Sequence, residues 1–251
     1  MALAVNSPLL NAGDRVGVYV AYGDLRASGN HQDNAVLAKT DQGFSLTPTV
    51  AFSDNTTPAN IYAYYPYTSS ITNAQAFPFI VQTNQETEEL MKSSQLWWGK
   101  VSSYPTTKQQ TISLQRLTAE ICVKITAGEG VQLEDLQAAP PIVKLRDIQT
   151  QTTVNLADGS FSLSGTSSTI IPLLDLEKMS YTAAVIPQRI NDDAFATISW
   201  ADKQTTVPCH TTIEKGQQFT LPVTISRSTG SVNVSISDWE TSDKDYGGSV
   251  F

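Results

Sequence analysis

Cysteine and histidine are nearly absent, with two of each in 251 residues. Cys122 and Cys209 lack CxxC spacing and have no histidine pair nearby, which argues against a thiolate metal site; two isolated cysteines are expected to pack as small buried side chains, the alternative being a disulfide between them in an oxidising compartment. His31 and His210 would need carboxylates from distant loops to hold zinc, so each reads as a solvated or hydrogen-bonded side chain. Charge is sparse too: Asp, Glu, Lys and Arg make up 16% of the chain, the formal net charge is −8, and the 16 Lys and Arg are scattered. Nucleic-acid binding draws its affinity from clustered cations, and that partner is excluded. No apolar run approaches the ~18 residues of a membrane-spanning helix, and Met1-Ala2-Leu3-Ala4-Val5 is too short for a signal peptide. Glycine-rich phosphate loops, GxSxG and HExxH are all missing, so the chain reads as non-catalytic, with no cofactor and no metal assigned. The acidic stretch from Asp238 to Gly247 lacks the ligand spacing and terminal glutamate of a calcium loop.

What is present is alternation. From Leu117 to Ile125 every second residue is apolar, while Thr118, Glu120, Cys122 and Lys124 take the other face, the period of a half-buried strand. Ile112 and Leu114 keep the same period in the opposite phase. The chain must therefore be re-aimed near Gln115 and Arg116, by a bulge or a bend between two sheets. Similar short runs recur on both sides: Val16, Val18 and Val20 after the Gly13-Asp14 turn; Asn60 to Tyr67; Phe77 to Val81; Thr153 to Leu156 and Ser160 to Leu163 around the turn at Ala157-Asp158-Gly159; and Val232 to Trp239. Gln85 to Lys92 is the best helical turn, a solvated connector. The fold class is all-β, and the spacing of strands and turns suits two antiparallel sandwiches. The alternation breaks at Ala127-Gly128-Glu129-Gly130, which divides the chain into domains 1–129 and 130–251.

Candidate binding residues are aromatic. In the 60–67 strand Ile61, Ala63 and Tyr65 share one face and Tyr62 and Tyr64 the other; the latter pair could stack on a sugar or a partner, or bury their rings as strand tyrosines commonly do. Trp97 and Trp98 fall on opposite faces of an extended segment, so one can be core while the other looks outward. The terminal stretch, with Tyr246, Val250 and Phe251, could dock locally or on a partner.

Gly13-Asp14-Arg15-Val16-Gly17-Val18-Tyr19, Ile61 to Tyr67, Ser94 to Gly99, Leu117 to Val123, Ile186-Pro187-Gln188 and Val234 to Trp239 together, in this order, resemble the fimbrillin-like family of Gram-negative gut and oral anaerobes. The resemblance implies two tandem transthyretin-like sandwich domains, export as an outer-membrane lipoprotein, and a role as a fimbrial (pilus) component or adhesin at the cell surface. It implies other fimbrial subunits as partners, trimming by an arginine- or lysine-specific protease, and joining by a donated strand, which is β-augmentation. A lipoprotein cysteine near the start is missing here, which fits a chain without its leader, so membrane contact would run through a lipid anchor this chain does not carry. The alternative function is a stand-alone surface module that binds a glycan or a host protein.

Overall fold

The computed structural model describes residues 2–7, 10–51, 54, 56–104, 108–228, 231–238 and 240–242. The strands of the first half are β1 (Ala2–Asn6), β2 (Arg15–Ala21), β3 (Gln32–Thr40), β4 (Gly43–Thr47), β5 (Ala59–Tyr65) and β6 (Phe77–Ile80). A one-turn helix α1 (Glu88–Ser93) leads to β7 (Trp97–Ser103), β8 (Gln109–Ser113), β9 (Gln115–Arg116) and β10 (Ala119–Ala127). Beyond α2 (Leu133–Ala138) come β11 (Ile142–Asn155), β12 (Ser160–Ile170), β13 (Leu173–Asp175), β14 (Ser180–Val185) and β15 (Gln188–Trp200). The chain continues with β16 (Lys203–Ile213), β17 (Gln218–Ser228), β18 (Ser231–Ile236) and β19 (Glu240–Ser242). The all-β class read from alternation is what the chain adopts.

One sheet runs β4-β3-β2-β5-β7-β9, and β1 pairs β8 in a small parallel sheet beside it. Val16, Val18, Ile61, Ala63, Ile112 and Leu114 are among the residues that fill the core these two sheets share. A third sheet runs β13-β14-β10-β17-β18, with β19 also on β17, and a fourth runs β12-β11-β15-β16, with β6 also on β11. Their inward residues, including Ile121, Val123, Leu145, Phe195 and Leu221, form the larger core.

The phase change at Gln115 and Arg116 is the crossing between these cores. Ile112 and Leu114 end in the smaller one, whereas Leu117, Ala119, Ile121, Val123 and Ile125 all sit in the larger one, at most 4% exposed. Within this stretch β8, β9 and β10 belong to three different sheets. The opposite face of β10 is less open than the alternation suggests: Thr118 and Glu120 are buried as well, because the first half of the chain packs over that end of the strand.

Strand β10 pairs antiparallel with β14 and parallel with β17, so sheet partners change before Ala119, one strand ahead of the sequence division at 129/130. Gly128 and Gly130 do end the alternation, but as a turn leaving β10. The two halves are also stitched together. Tyr19, Tyr62 and Tyr64 of the first half belong to the larger core, and β6 pairs β11 with Phe77 opposite Val154. Residues 130–251 expressed alone lack the strand between β14 and β17, and are expected to show no cooperative unfolding transition. A sharp urea transition from that fragment would refute this placement of β10.

Strand β1 precedes the turn at Gly13-Asp14, and β3 begins at Gln32. The turn at 157–159 joins β11 to β12 as expected, with Gly159 at φ +67°.

Candidate functional site

Alternation sends Tyr62 and Tyr64 to the face of their strand opposite Ile61 and Ala63, as expected, but that face is covered. Tyr62 and Tyr64 are 1% and 0% exposed. Tyr64 lies with its ring centroid 6.3 Å from that of Tyr19 and 5.4 Å from that of Phe77, and Phe77 lies 6.1 Å from Phe79. An aromatic seam thus joins the first sheet to β6, and its tilted and edge-on rings are among the arrangements such pairs favour. The register puts Gly17 opposite Tyr64, and a Cβ on Gly17 would come within 1.9 Å of the Tyr64 ring, so only glycine leaves room for it. The Tyr64 hydroxyl donates to Asn34 Oδ1 (2.7 Å), and burial pushes its pKa well up.

The tryptophans do fall on opposite faces. Trp97 packs in the smaller core at 1% exposure. Trp98 is half-buried against the larger core, where its Nε1–H donates to Leu156 O at 2.8 Å. Neither tryptophan ring lies open on the surface; Trp98 instead ties β7 to the turn between β11 and β12. Tyr246, Val250 and Phe251 lie outside the described residues.

One end of β7 is organised by α1. Thr87 caps the helix by accepting from the Leu90 N–H at 3.2 Å, and Lys92 in its last turn reaches Asp14 Oδ2 at 2.8 Å. Asp14 also accepts from the Asn11 N–H (2.7 Å) and the Tyr65 hydroxyl (3.1 Å). Partial burial alone would raise the Asp14 pKa; the hydrogen bonds from Lys92 and the Asn11 backbone outweigh it and hold the carboxyl below its ordinary value. A depressed carboxyl pKa contributes stability that is present above the unfolded-state value of about 4 and is lost as pH falls through the folded-state value. Acidification below about pH 4 is therefore expected to loosen α1. Because Lys92 is about one-third exposed, Asp14→Asn should remove on the order of 1 kcal/mol or less. The check is urea unfolding at pH 7 and pH 3, where the difference between wild type and variant should shrink at the lower pH.

Beyond α1 lies a trough of about 730 Å³ across the outer face of the β10 sheet. The register aligns its floor in rows. Thr220, Cys122 and Thr182 lie side by side, extended by Glu240 on β19 and Leu173 on β13. The next row carries Lys124, Ser180 and Asp175. Met91, Gln95, Trp97 and Arg116 close the end towards the first half of the chain. Where the floor meets this wall, Arg116 and Glu120 form an ion pair with side chains only 3% and 7% exposed. Gln95 donates to Glu120 Oε1 (3.1 Å), Gln218 donates to Oε2 (3.2 Å), and Arg116 Nη2 donates to Gly216 O (2.9 Å). Buried charges persist only when paired and hydrogen-bonded in this way.

Cys122 faces this trough, while Cys209 is buried in the larger core on the other sheet, where burial pushes its thiol up to about 11. With one on the outer face of its sheet and the other inside the core, both are thiols. His210 contacts Asn191 Oδ1 (2.8 Å) and Asp193 Oδ1 (3.0 Å), and His31 contacts Ala51 O. Among the described residues no group of three or more His, Cys, Asp or Glu side chains is placed to hold a metal ion, and no helix is long and apolar enough to cross a membrane.

Strand β1 carries the feature that sequence reasoning missed. It runs parallel to β8, from Ala2 opposite Gln109 to Asn6 opposite Ser113, and inserts Leu3 and Val5 into the smaller core at 5% and 7% exposure. Its only signal in the sequence is the short alternation Leu3-Ala4-Val5.

Among curated proteins none matches the chain. Among solved structures, a candidate cell adhesion protein from Bacteroides uniformis superposes with a TM-score of 0.75 at 19% identity, covering 96% of both chains. A candidate cell adhesion protein from Bacteroides ovatus gives 0.73 at 14% identity over 95% of both chains. A fimbrial protein from Bacteroides ovatus gives 0.58 at 16% identity, covering 92% of this chain and 48% of that one. At these identities the likeness is one of fold. The sequence itself matches the fimbrillin-like family model from residue 4 to residue 239, and the chain belongs to that family.

Proposed function

We propose that this chain is a non-catalytic fimbrial component or adhesin of the cell surface, which joins neighbouring subunits by strand addition. Family membership and the fimbrial and adhesion proteins that share the fold support the first part. The observation that carries the second is β1. It is a short strand held by one parallel partner, with two apolar side chains plugging a core, so a strand of equal pattern from a neighbour can take its place without rearranging the sheet beside it. An added strand supplies backbone donors and acceptors along its length, and its alternate side chains fill the vacated pockets. The first basic residue in the chain is Arg15, exposed at the start of β2, and cleavage there by an arginine-specific protease would free β1.

On this reading the chain is two transthyretin-like sandwiches, tethered to the outer membrane through a lipid anchor and partnered by other fimbrial subunits. The test is addition in trans. A chain lacking residues 1–9 should bind a synthetic peptide of residues 1–9, with protection of the β8 amides from hydrogen exchange, and lose that binding when the peptide carries Leu3→Asp and Val5→Asp. Failure of the native peptide to restore protection would sink strand addition. Normal fimbriation and adhesion by cells lacking the whole protein, or glycan turnover by the purified chain, would overturn the fimbrial reading itself.

A second reading, a surface module that binds a glycan or a host protein, draws on the trough over the β10 sheet.

A further inference from the structure

The trough exists because of side-chain size. At the centre of the floor the outward positions of β17, β10 and β14 are Thr220, Cys122, Thr182 and Ser180, all short, while Met91, Trp97, Arg116, Lys124 and Lys178 stand around them. The row from Glu240 to Leu173 crosses five strands, about 19 Å at ~4.8 Å per strand. A volume of about 730 Å³ lies within the range of ligand-binding clefts, ~300–1,000 Å³.

The lining selects among ligand classes. Arg116, Lys124 and Lys178 are matched in number by Glu120, Asp175 and Glu240, so the trough offers no surplus of either sign to an anion or a cation. An apolar ligand would strand the carboxylates, amides and hydroxyls of the floor without partners. A peptide strand needs an open sheet edge, and here the backbone of β10 is already taken by its ladders to β14 and β17. What remains is a neutral, extended, polyhydroxylated molecule. Its hydroxyls each donate and accept, and they meet amides at Gln95 and Gln218, hydroxyls at Ser180, Thr182 and Thr220, and the ion pair at the floor's end. Trp97 adds an indole Nε1–H that is buried at this end with no partner among the described residues.

We propose that the trough floored by Thr220, Cys122, Thr182 and Ser180 and walled by Trp97, Gln95 and Gln218 is a binding site for a neutral oligosaccharide. This deepens the adhesin side of the function proposed above and is independent of strand addition, so the purified monomer tests it whatever its assembly behaviour.

The experiment places the purified chain on an array of neutral, sialylated and sulfated oligosaccharides and follows the strongest neutral binder by calorimetry. Thr182→Arg and Thr220→Arg, each filling the floor, are expected to weaken that binding at least tenfold while the thermal midpoint stays near that of the wild type. The unmutated chain supplies a second readout. Cys122 faces the trough, and Cys209 is buried with its thiol pushed up to about 11, so iodoacetamide should add once, at Cys122, and the bound oligosaccharide should slow that addition at least tenfold. Retention of no neutral oligosaccharide, retention only of sialylated or sulfated ones, or alkylation of Cys122 at an unchanged rate in the saturated complex would each overturn the assignment.

Discussion

Glu120→Ala is expected to destabilise the chain by about 3–5 kcal/mol, the range for removing one partner of a buried ion pair. The variant leaves the Arg116 guanidinium, 3% exposed, with its charge uncompensated, and it takes the acceptor from Gln95 and Gln218 together. Arg116 lies on β9, Gln95 just before β7, and Glu120 and Gln218 on β10 and β17, so the network spans the junction where the first sheet meets the β10 sheet. Glu120→Gln keeps the shape and some of the hydrogen bonds but not the charge, and should lose less. Arg116→Met with Glu120→Leu removes both charges and should lie closer to wild type than either single change, since apolar replacement of a whole buried pair is often neutral. Urea unfolding midpoints at constant slope decide this. A loss below about 1 kcal/mol for Glu120→Ala would place the pair at the strength of a solvated one and refute its burial.

That network shows where sequence reading stops. The strand from Leu117 to Ile125 is legible because alternation is local: the period and the inward residues need no knowledge of the partners. The jump between cores at Gln115 and Arg116 is legible for the same reason, as a change of phase. The burial of Glu120 is not, because it depends on Gln95 and on Gln218, which arrives through a parallel pairing with a strand about a hundred residues later. Alternation puts Tyr62 and Tyr64 on the correct face, but whether that face meets water depends on Phe77 and Phe79 packing in the same core. The trough has no local signature at all. Ser180, Thr182 and Thr220 look like ordinary outward positions, and only register across five strands makes them one floor. Strand β1 hides for a different reason: five residues with two apolar positions carry too little pattern to stand out.

Ile121→Ala is expected to cost about 2–5 kcal/mol, lost transfer free energy plus a cavity that its neighbours cannot fully close. Ile121 is 0% exposed at the centre of β10, with Ala183 beside it on β14 and Phe219 on β17. Ala183 is too small to fill the space, and Phe219 is held by its own ladder, so the upper half of the range is expected. Ile112→Ala, at 1% exposure in the smaller core, makes the informative comparison. The central strands β2 and β5 of the first sheet are buried on both faces, β5 by the smaller core through Ile61 and Ala63 and by the larger one through Tyr62 and Tyr64. Loss of packing in one core therefore reaches the other through a shared sheet, and both variants should shift a single unfolding transition with little change in its slope. An unchanged midpoint for Ile121→Ala would remove that residue from the core. Two transitions, with Ile112→Ala moving one and Ile121→Ala only the other, would show that the aromatic seam at Tyr64 and Phe77 does not couple the cores.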